Sequence, residues 1–494
     1  MATGNTKYGD GALENNTVNT SPAGANNNSA FGIAALKNST EYWNTAVGAY
    51  SGIATTTGIS NTSIGTNTLL KNTEGSYNTA LGTAAMCFNT TGIKNTAVGS
   101  NSMEKNTAGT QNTSVGVESL FLNTIGSNNT AIGYNSLYNN TTGKDNTALG
   151  GGALYTNNSG NFNVAIGLNS LSSNTSGVEN VAIGNGSIHD NITGEKNVAV
   201  GYHAIFYNKS GNQNVALGHN SLLNNISGQN NTAVGTNALS NNTVNNNTAV
   251  GTNALNLNVS GTQNTAVGYQ SLNDNQSGSS NTAIGYRALN DNTNDSNTAV
   301  GNFALITNTI GKENTAVGAA SLKINLSGIK NTAIGYEAGD LLTTGSNNIM
   351  IGYKAQVLDQ TGSNQIAIGT TAETMYIQGG HNWRFYDQTL HPNGIDQNTT
   401  LTFPFAQVYP ILTSNNITIT LPIPTLNMAG AHCVFKKVGT ITSGITVTFK
   451  VIGGATGIIP YNATNQPAEV YIQFNQFQSE FICNGSIYYQ MFTM

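Results

Sequence analysis

The sequence predicts an all-β chain, a parallel β-solenoid shaft of about 22 coils followed by a separate antiparallel β-sandwich-like domain. Three observations carry that prediction. A 17-residue repeat runs through most of the chain, each repeat has the residue pattern of strands closed by turns, and the composition changes near His381.

The repeat is defined by the glycine of N-T-A-V-G. Gly48, Gly65, Gly82 and Gly99 stand 17 residues apart, and the same spacing continues to Gly235. From there it runs on to Gly369, with single-residue deletions before Gly251 and Gly301, and Gly32 precedes Gly48 by 16. A degenerate copy opens the chain, where Asn5, Thr6, Gly9, Ala12, Leu13 and Asn16 hold the same relative places ahead of an insertion around Pro22. The reading divides the chain into a degenerate coil with insertion (1–31), the shaft (32–372), a linker (373–385) and a C-terminal domain (386–494). Self-similarity at a fixed short period is the signature of stacked supersecondary units, and about 22 coils at roughly 4.8 Å each make a rod on the order of 100 Å long.

Each slot of the consensus N-[TV]-A-[VIL]-G-x-x-[AS]-[LIM]-x-x-N-x-[ST]-G-x-x has a mechanical reading as two strands and two turns. Along N-T-A-V-G side chains alternate between faces. Thr gives way to its isostere Val at Val164, Val181, Val198 and Val215, which places that slot toward the coil interior. The Ala/Gly face is then small enough for a neighbouring backbone, and is expected to meet other copies in a homotrimer. The [LIM] slot (Leu69, Met86, Met103, Leu120 and successors) is read as the core residue of a second strand. N-x-[ST]-G, as in Asn140 to Gly143 and Asn225 to Gly228, reads as a turn in which Asn caps the backbone and Gly takes a positive φ. The Asn four residues before the repeat glycine gives way once, to Gln365, and such a column is expected to hydrogen-bond along the axis.

Composition supports order without pointing to chemistry. Charged residues make up 8% of the chain, hydrophobic residues 38%, and the formal charge is −5, which does not match the low-hydrophobicity, high-charge signature of disorder. No Lys/Arg cluster offers a footprint for nucleic acid. No apolar run is long enough for a bilayer, and MATGNTKYGD lacks the pattern of a signal peptide, so neither a membrane nor classical secretion is expected. Cys87, Cys433 and Cys483 are read as buried free thiols, a Cys433–Cys483 disulfide being the alternative.

No catalytic, metal or cofactor residues are assigned. His189, His203 and His219 occupy three different offsets in their coils and read as solvated surface histidines, and His381 and His391 as boundary residues. Gly150 to Gly152 lack the following Lys-Ser/Thr of a phosphate loop. Asp274, Asp291 and Glu337 read as solvent-facing solubilisers. Asn140, Asn174, Asn225 and Asn258 begin N-x-[ST] triplets, for which the turn reading is preferred to glycosylation.

Past Gly369 the register decays, and from His381 Phe, Tyr, Ile and Val alternate with polar residues in NITITLPIP, HCVFKKVG, ITVTFKVIGG and EFICNGSIYYQMF, between Gly, Pro and Asn breaks. A unique globule on a uniform rod is where specificity is expected, so receptor-binding residues are placed in this domain without naming them.

The N-T-A-[VI]-G-x-x-[AS] coil resembles the head repeat of YadA-type trimeric autotransporter adhesins and, more closely, the Asn/Thr-rich 17-residue variants of phage tail fibres and giant-virus fibre proteins. The likeness covers roughly residues 5 to 370. It implies left-handed, trimeric β-rolls. Thr420 to Pro422, Ala429 to Val438 and Cys483 to Tyr489 resemble the T-L-P, A-G…K-K-V and C-N-G-S-x-Y-Y elements of a small domain that ends many viral fibres. With no export signal, coiled-coil stalk or membrane anchor in view, the resemblance implies a structural fibre of a virus particle. Such a fibre would be made in the host cytoplasm, displayed on the virion surface and held by a separate anchoring protein. The C-terminal domain would meet a host cell-surface glycan or protein, or, alternatively, dock to the particle in a purely architectural role. A bacterial adhesin head, an ice-binding solenoid and a hexapeptide-type acyltransferase are the remaining alternatives, and the chain is expected not to be an enzyme and to need no cofactor.

Overall fold

The computed structural model describes residues 4–15 and 27–369 and, beyond them, nine strands between Thr399 and Thr493. The chain divides into two units, 1–376 and 377–494. In the first, 22 three-residue strands, β1 (Thr6–Tyr8) to β22 (Ile366–Ile368), pair in parallel with the strand of the neighbouring coil. The register is strict: Thr79 lies opposite Thr96 and Ala80 opposite Ala97. The degenerate first copy belongs to the stack, with Thr6 opposite Ser29.

Each coil has one strand, not the two expected. The coil of Gly82 shows how the rest of the backbone is satisfied. Around it, the N–H groups of Thr79, Met86, Phe88 and Thr90 donate to the following coil (Asn95, Ser102, Glu104 and Thr107 carbonyls), and those of Gly82, Ala84 and Lys94 to the preceding one (Ile64, Thr66 and Ser76), all at 2.8–3.0 Å. The coil-to-coil ladder thus runs round the perimeter, although only three residues have strand geometry.

The non-strand path is made by left-handed residues. Ala84, Met86 and Lys94 have φ of 56°, 51° and 59°, and their counterparts repeat this in coil after coil. The [LIM] residue therefore sits in a left-handed turn rather than a second strand. Its side chain still points inward: Leu69, Met86, Met103, Leu120, Leu137 and Leu154 are essentially fully buried. A non-glycine residue costs about 1–2 kcal/mol in this conformation, and β-branched residues suffer most. Leu and Met accordingly dominate the slot.

The faces of the strand are the reverse of those expected. Ala80, Ala97, Ala131 and Ala148 are completely buried and form the core with the [LIM] column, whereas the Thr/Val and Val/Ile/Leu slots face outward. The interior is too narrow for anything larger at that position, so the column most restricted in size is the inner one. Ser63 and Ser114 hold the slot in β4 and β7, and Lys7, exposed, in β1; Met350 is the large buried exception, and it fills the space left by Gly339, whose own Cβ would lie 2.7 Å from its sulfur.

The two glycines of the repeat are required for different reasons. Gly82 has φ +134°, and a Cβ there would lie 2.4 Å from the Gly99 carbonyl oxygen. Gly92, in the N-x-[ST]-G turn, is outside the left-handed region, contrary to expectation. It is glycine because a Cβ would lie 2.4 Å from Asn89 Oδ1 and 2.6 Å from Gly109 O.

In the second unit β23 (Thr399–Thr400), β25 (Ile417–Leu421), β27 (Thr446–Val451) and β29 (Glu469–Gln473) form one sheet. A second is built from β24 (Val408–Ile411), β26 (His432–Lys437), β30 (Gln478–Cys483), β31 (Tyr488–Thr493) and β28 (Ile458–Pro460). Pairing of both senses occurs where only antiparallel pairing was expected: β25 with β27 is parallel, β30 with β31 antiparallel. The sandwich arrangement, the linker and the side chains of Cys433 and Cys483 lie outside the described residues.

Gly92→Ala is expected to destabilise the shaft by about 1–3 kcal/mol through overpacking against the Asn89 amide, while Thr83→Ala, on the exposed turn, leaves the melting temperature unchanged. Equal melting temperatures for the two variants in thermal denaturation would contradict the close-packing account.

Candidate interaction surface

Two asparagine columns run through the interior, and their buried amides govern what is left for the outside. In the first column, Asn95 N–H donates to Asn78 Oδ1 at 3.0 Å, and Asn78 N–H to Asn61 Oδ1 at 3.0 Å. In the second, Asn89 Nδ2 donates to Asn72 Oδ1 and Asn106 Nδ2 to Asn89 Oδ1, each at 2.7 Å. The columns meet at the turn glycine: Gly92 O accepts from Asn78 Nδ2 at 2.9 Å and from Asn89 Nδ2 at 3.1 Å. The expected axial hydrogen bonding is therefore present twice over.

The deletions show how the columns accommodate a shorter coil. Before Gly251 and Gly301 the missing residue is the turn glycine, and the Val244 and Asn294 carbonyls take over its two amide donors. The first column continues unbroken across both, through Asn247 N–H to Asn231 Oδ1 and Asn297 N–H to Asn281 Oδ1, each at 2.9 Å. Among the described residues the column runs to the exception Gln365. Gln365 N–H still donates to Asn348 Oδ1, but its longer side chain turns back to the Asp359 backbone, accepting from N–H at 3.2 Å and donating to O at 2.8 Å.

The turn asparagines Asn140, Asn174, Asn225 and Asn258 are fully buried members of the second column, which leaves no room for a glycan at these four positions on the folded shaft. Cys87 is buried and free, and burial, with a smaller push from Glu104, raises its thiol above the usual range.

Polar groups elsewhere do not converge. Among the described residues no cluster of three or more His, Cys, Asp or Glu could hold a metal, and no helix is long and apolar enough to cross a membrane. The histidines form no column, but each lies against a ring, which the solvated-surface reading missed: His189 on Phe206 (4.7 Å), His203 on Tyr202 (3.8 Å) and His219 on Tyr202 (5.2 Å). Partial burial lowers the His203 pKa, with small contributions from His219 and His189. His381 and His391 lie outside the described residues. Gly150 keeps the repeat geometry and Gly152 takes the left-handed turn position (φ +65°). Asp274 and Asp291 share a slot in successive coils, and burial followed by the Asp274 charge raises the Asp291 pKa, Arg287 opposing it. Glu337 is held low by Tyr336 and Lys354, the latter 3.1 Å away.

What does repeat without interruption is the outer face of the sheet. Its two columns contain Thr, Val, Ile, Leu and, at the N-terminal end, Ser29, Phe31 and Tyr8, and neither holds a charged residue in any of the 22 strands; the one charged strand residue, Lys7 of β1, stands in the middle slot between them. Leu81 and Leu149 are each 44% exposed, and Ile284 41%. Beside them stand exposed rings in the position after the repeat glycine, with Tyr269 stacked on Tyr286 and Tyr336 on Tyr353 at about 5.5 Å. This long uncharged face, one column of it aliphatic, is the candidate interaction surface of the described residues. Sequence reasoning found the column but turned it inward; its signal was that the Ala slot tolerates almost nothing larger, while the Val slot accepts Val, Ile, Leu and Phe.

Comparisons of the chain with protein-family models, curated proteins and solved structures gave no match.

In the native protein Cys87 is expected to stay unmodified by a maleimide at neutral pH and to react once the shaft is denatured, read by peptide mass spectrometry at that residue. Rapid native labelling would contradict the buried, protonated thiol.

Proposed function

We propose that the chain is a structural fibre of a virus particle, in which the coil stack is a rigid spacer and residues 386–494 form the tip that meets a host cell-surface glycan or protein. The carrying observation is the stack of 22 coils held in one register, a construction that produces length and a uniform surface. The likeness of its repeat to fibre-protein repeats supports the viral setting.

Self-association belongs to the same reading. The uncharged outer face replaces the Ala/Gly face as the surface between copies, since alanine is used up in the core of each coil. Interface cores are depleted of charged residues in this way, and a homotrimer shields the outer columns of all three chains. A separate virion protein anchors the fibre.

Immunogold labelling of intact particles tests the assignment of the tip: label directed at residues 386–494 is expected at the particle-distal end. Label at the particle-proximal end would overturn it in favour of an architectural role with the C-terminal domain docked.

A further inference from the structure

We infer that coils β10 (Val164–Ile166) to β13 (Val215–Leu217) form the strongest lateral contact between copies of this chain, an inference that rests on the self-association proposed above. Elsewhere between β3 (Thr45–Val47) and β20 (Thr332–Ile334) the first outward slot is threonine. In these four consecutive strands it is Val164, Val181, Val198 and Val215, aligned opposite one another. The second outward column supplies Ile166, Ile183, Val200 and Leu217. Both columns are thus apolar for four coils, flanked by the exposed Leu168 and Tyr202.

Burial inside the single chain does not explain the exchange. Val164, Val181, Val198 and Val215 are partly exposed, as are the threonines of nearly all other coils, so the coil itself places the same demand on either side chain. Threonine and valine have the same shape and differ in one hydroxyl. Hydration of that hydroxyl is worth keeping where the face stays wet, and its loss costs free energy where a partner covers the face without accepting a hydrogen bond. Four successive replacements mark the dry part of a covered surface.

The size of the face identifies the occupant. Twenty-two strands of about 10 Å, spaced about 4.8 Å, present on the order of 1000 Å², against about 800 Å² per partner in a standard specific interface. The four valine coils alone offer on the order of 200 Å² by the same spacing. A stable partner therefore has to follow the face for most of its length with the same axial repeat, and a second copy of this chain has that repeat.

The test is isosteric. Val164→Thr, Val181→Thr, Val198→Thr and Val215→Thr are combined in the full chain and compared with wild type by light scattering across a concentration series, with thermal unfolding measured alongside. A second variant, Thr113→Val with Thr130→Val, controls for general hydrophobicity. Wild type is expected to give a mass near three times the 51.3 kDa of one chain. The four-threonine variant is expected to dissociate at a concentration at least about tenfold higher, with secondary structure retained at dilution, and the control is expected not to weaken association. An assembled wild type with an equally assembled four-threonine variant would overturn the valine contact while leaving self-association standing. A monomeric wild type at micromolar concentration would overturn both.

Discussion

The structure depends on the carboxamide of one asparagine per coil. Its oxygen receives the backbone N–H of the next coil's asparagine and its nitrogen donates to the turn carbonyl 14 residues on, near the end of its own coil, so one side chain both closes its coil and ties it to the neighbour. A narrow coil cannot bury enough apolar surface to hold itself: its interior offers one Leu or Met and one or two Ala. The amides are buried as deeply as the leucines, and each would cost about 1–3 kcal/mol if left without a partner. Stacking satisfies them and a single coil cannot, so the polar interior makes the coils interdependent. Aligned amides also polarise one another along the column.

That dependence explains the least usual feature of the backbone. Three residues in most coils hold left-handed conformations, nearly all of them non-glycine and each then at a cost of about 1–2 kcal/mol. They allow 17 residues to close a turn around so small a core while many peptide groups meet a partner in an adjacent coil and others, such as the Ala85, Cys87 and Asn89 N–H groups, bond three residues back within their own coil. Ile188 and Ile205, with φ of 48° and 53°, are the β-branched exceptions in the leucine column. They fall in the same stretch as the outward valines, and the structure gives no separate reason for them.

Much of this was legible in the sequence. Period, strand position, the first degenerate copy and the axial asparagine column follow from the spacing of Gly, Asn and Ala alone. Face and turn were misread for identifiable reasons. Thr-to-Val exchange suggests burial inside the coil, but the stricter indicator is the near-constancy of Ala80 and its equivalents. Gly92 was assigned a positive φ by analogy with ordinary turns, whereas its constraint is the pair of amides packed against it. That constraint arises between coils, where a reading of one repeat at a time does not see it. Gln365 departs from the consensus at the last described strand, and its extra methylene lets the amide reach the Asp359 backbone.

The outer face follows from the same economy of space. Once alanine and leucine fill the interior, the larger aliphatic residues of the strand have nowhere to go but outward, and a long uncharged face results. Shaft and outer face are two consequences of one narrow coil. The most direct measurement of the central claim is hydrogen exchange on the shaft carrying Asn95→Ala. The substitution removes the acceptor of the Asn112 N–H and the donor to Gly109 O. The account predicts lost protection at Asn112 that spreads to the coils on both sides. Unchanged protection at Asn112 and its neighbours would show that the strands hold the stack without the amide column, and would contradict it.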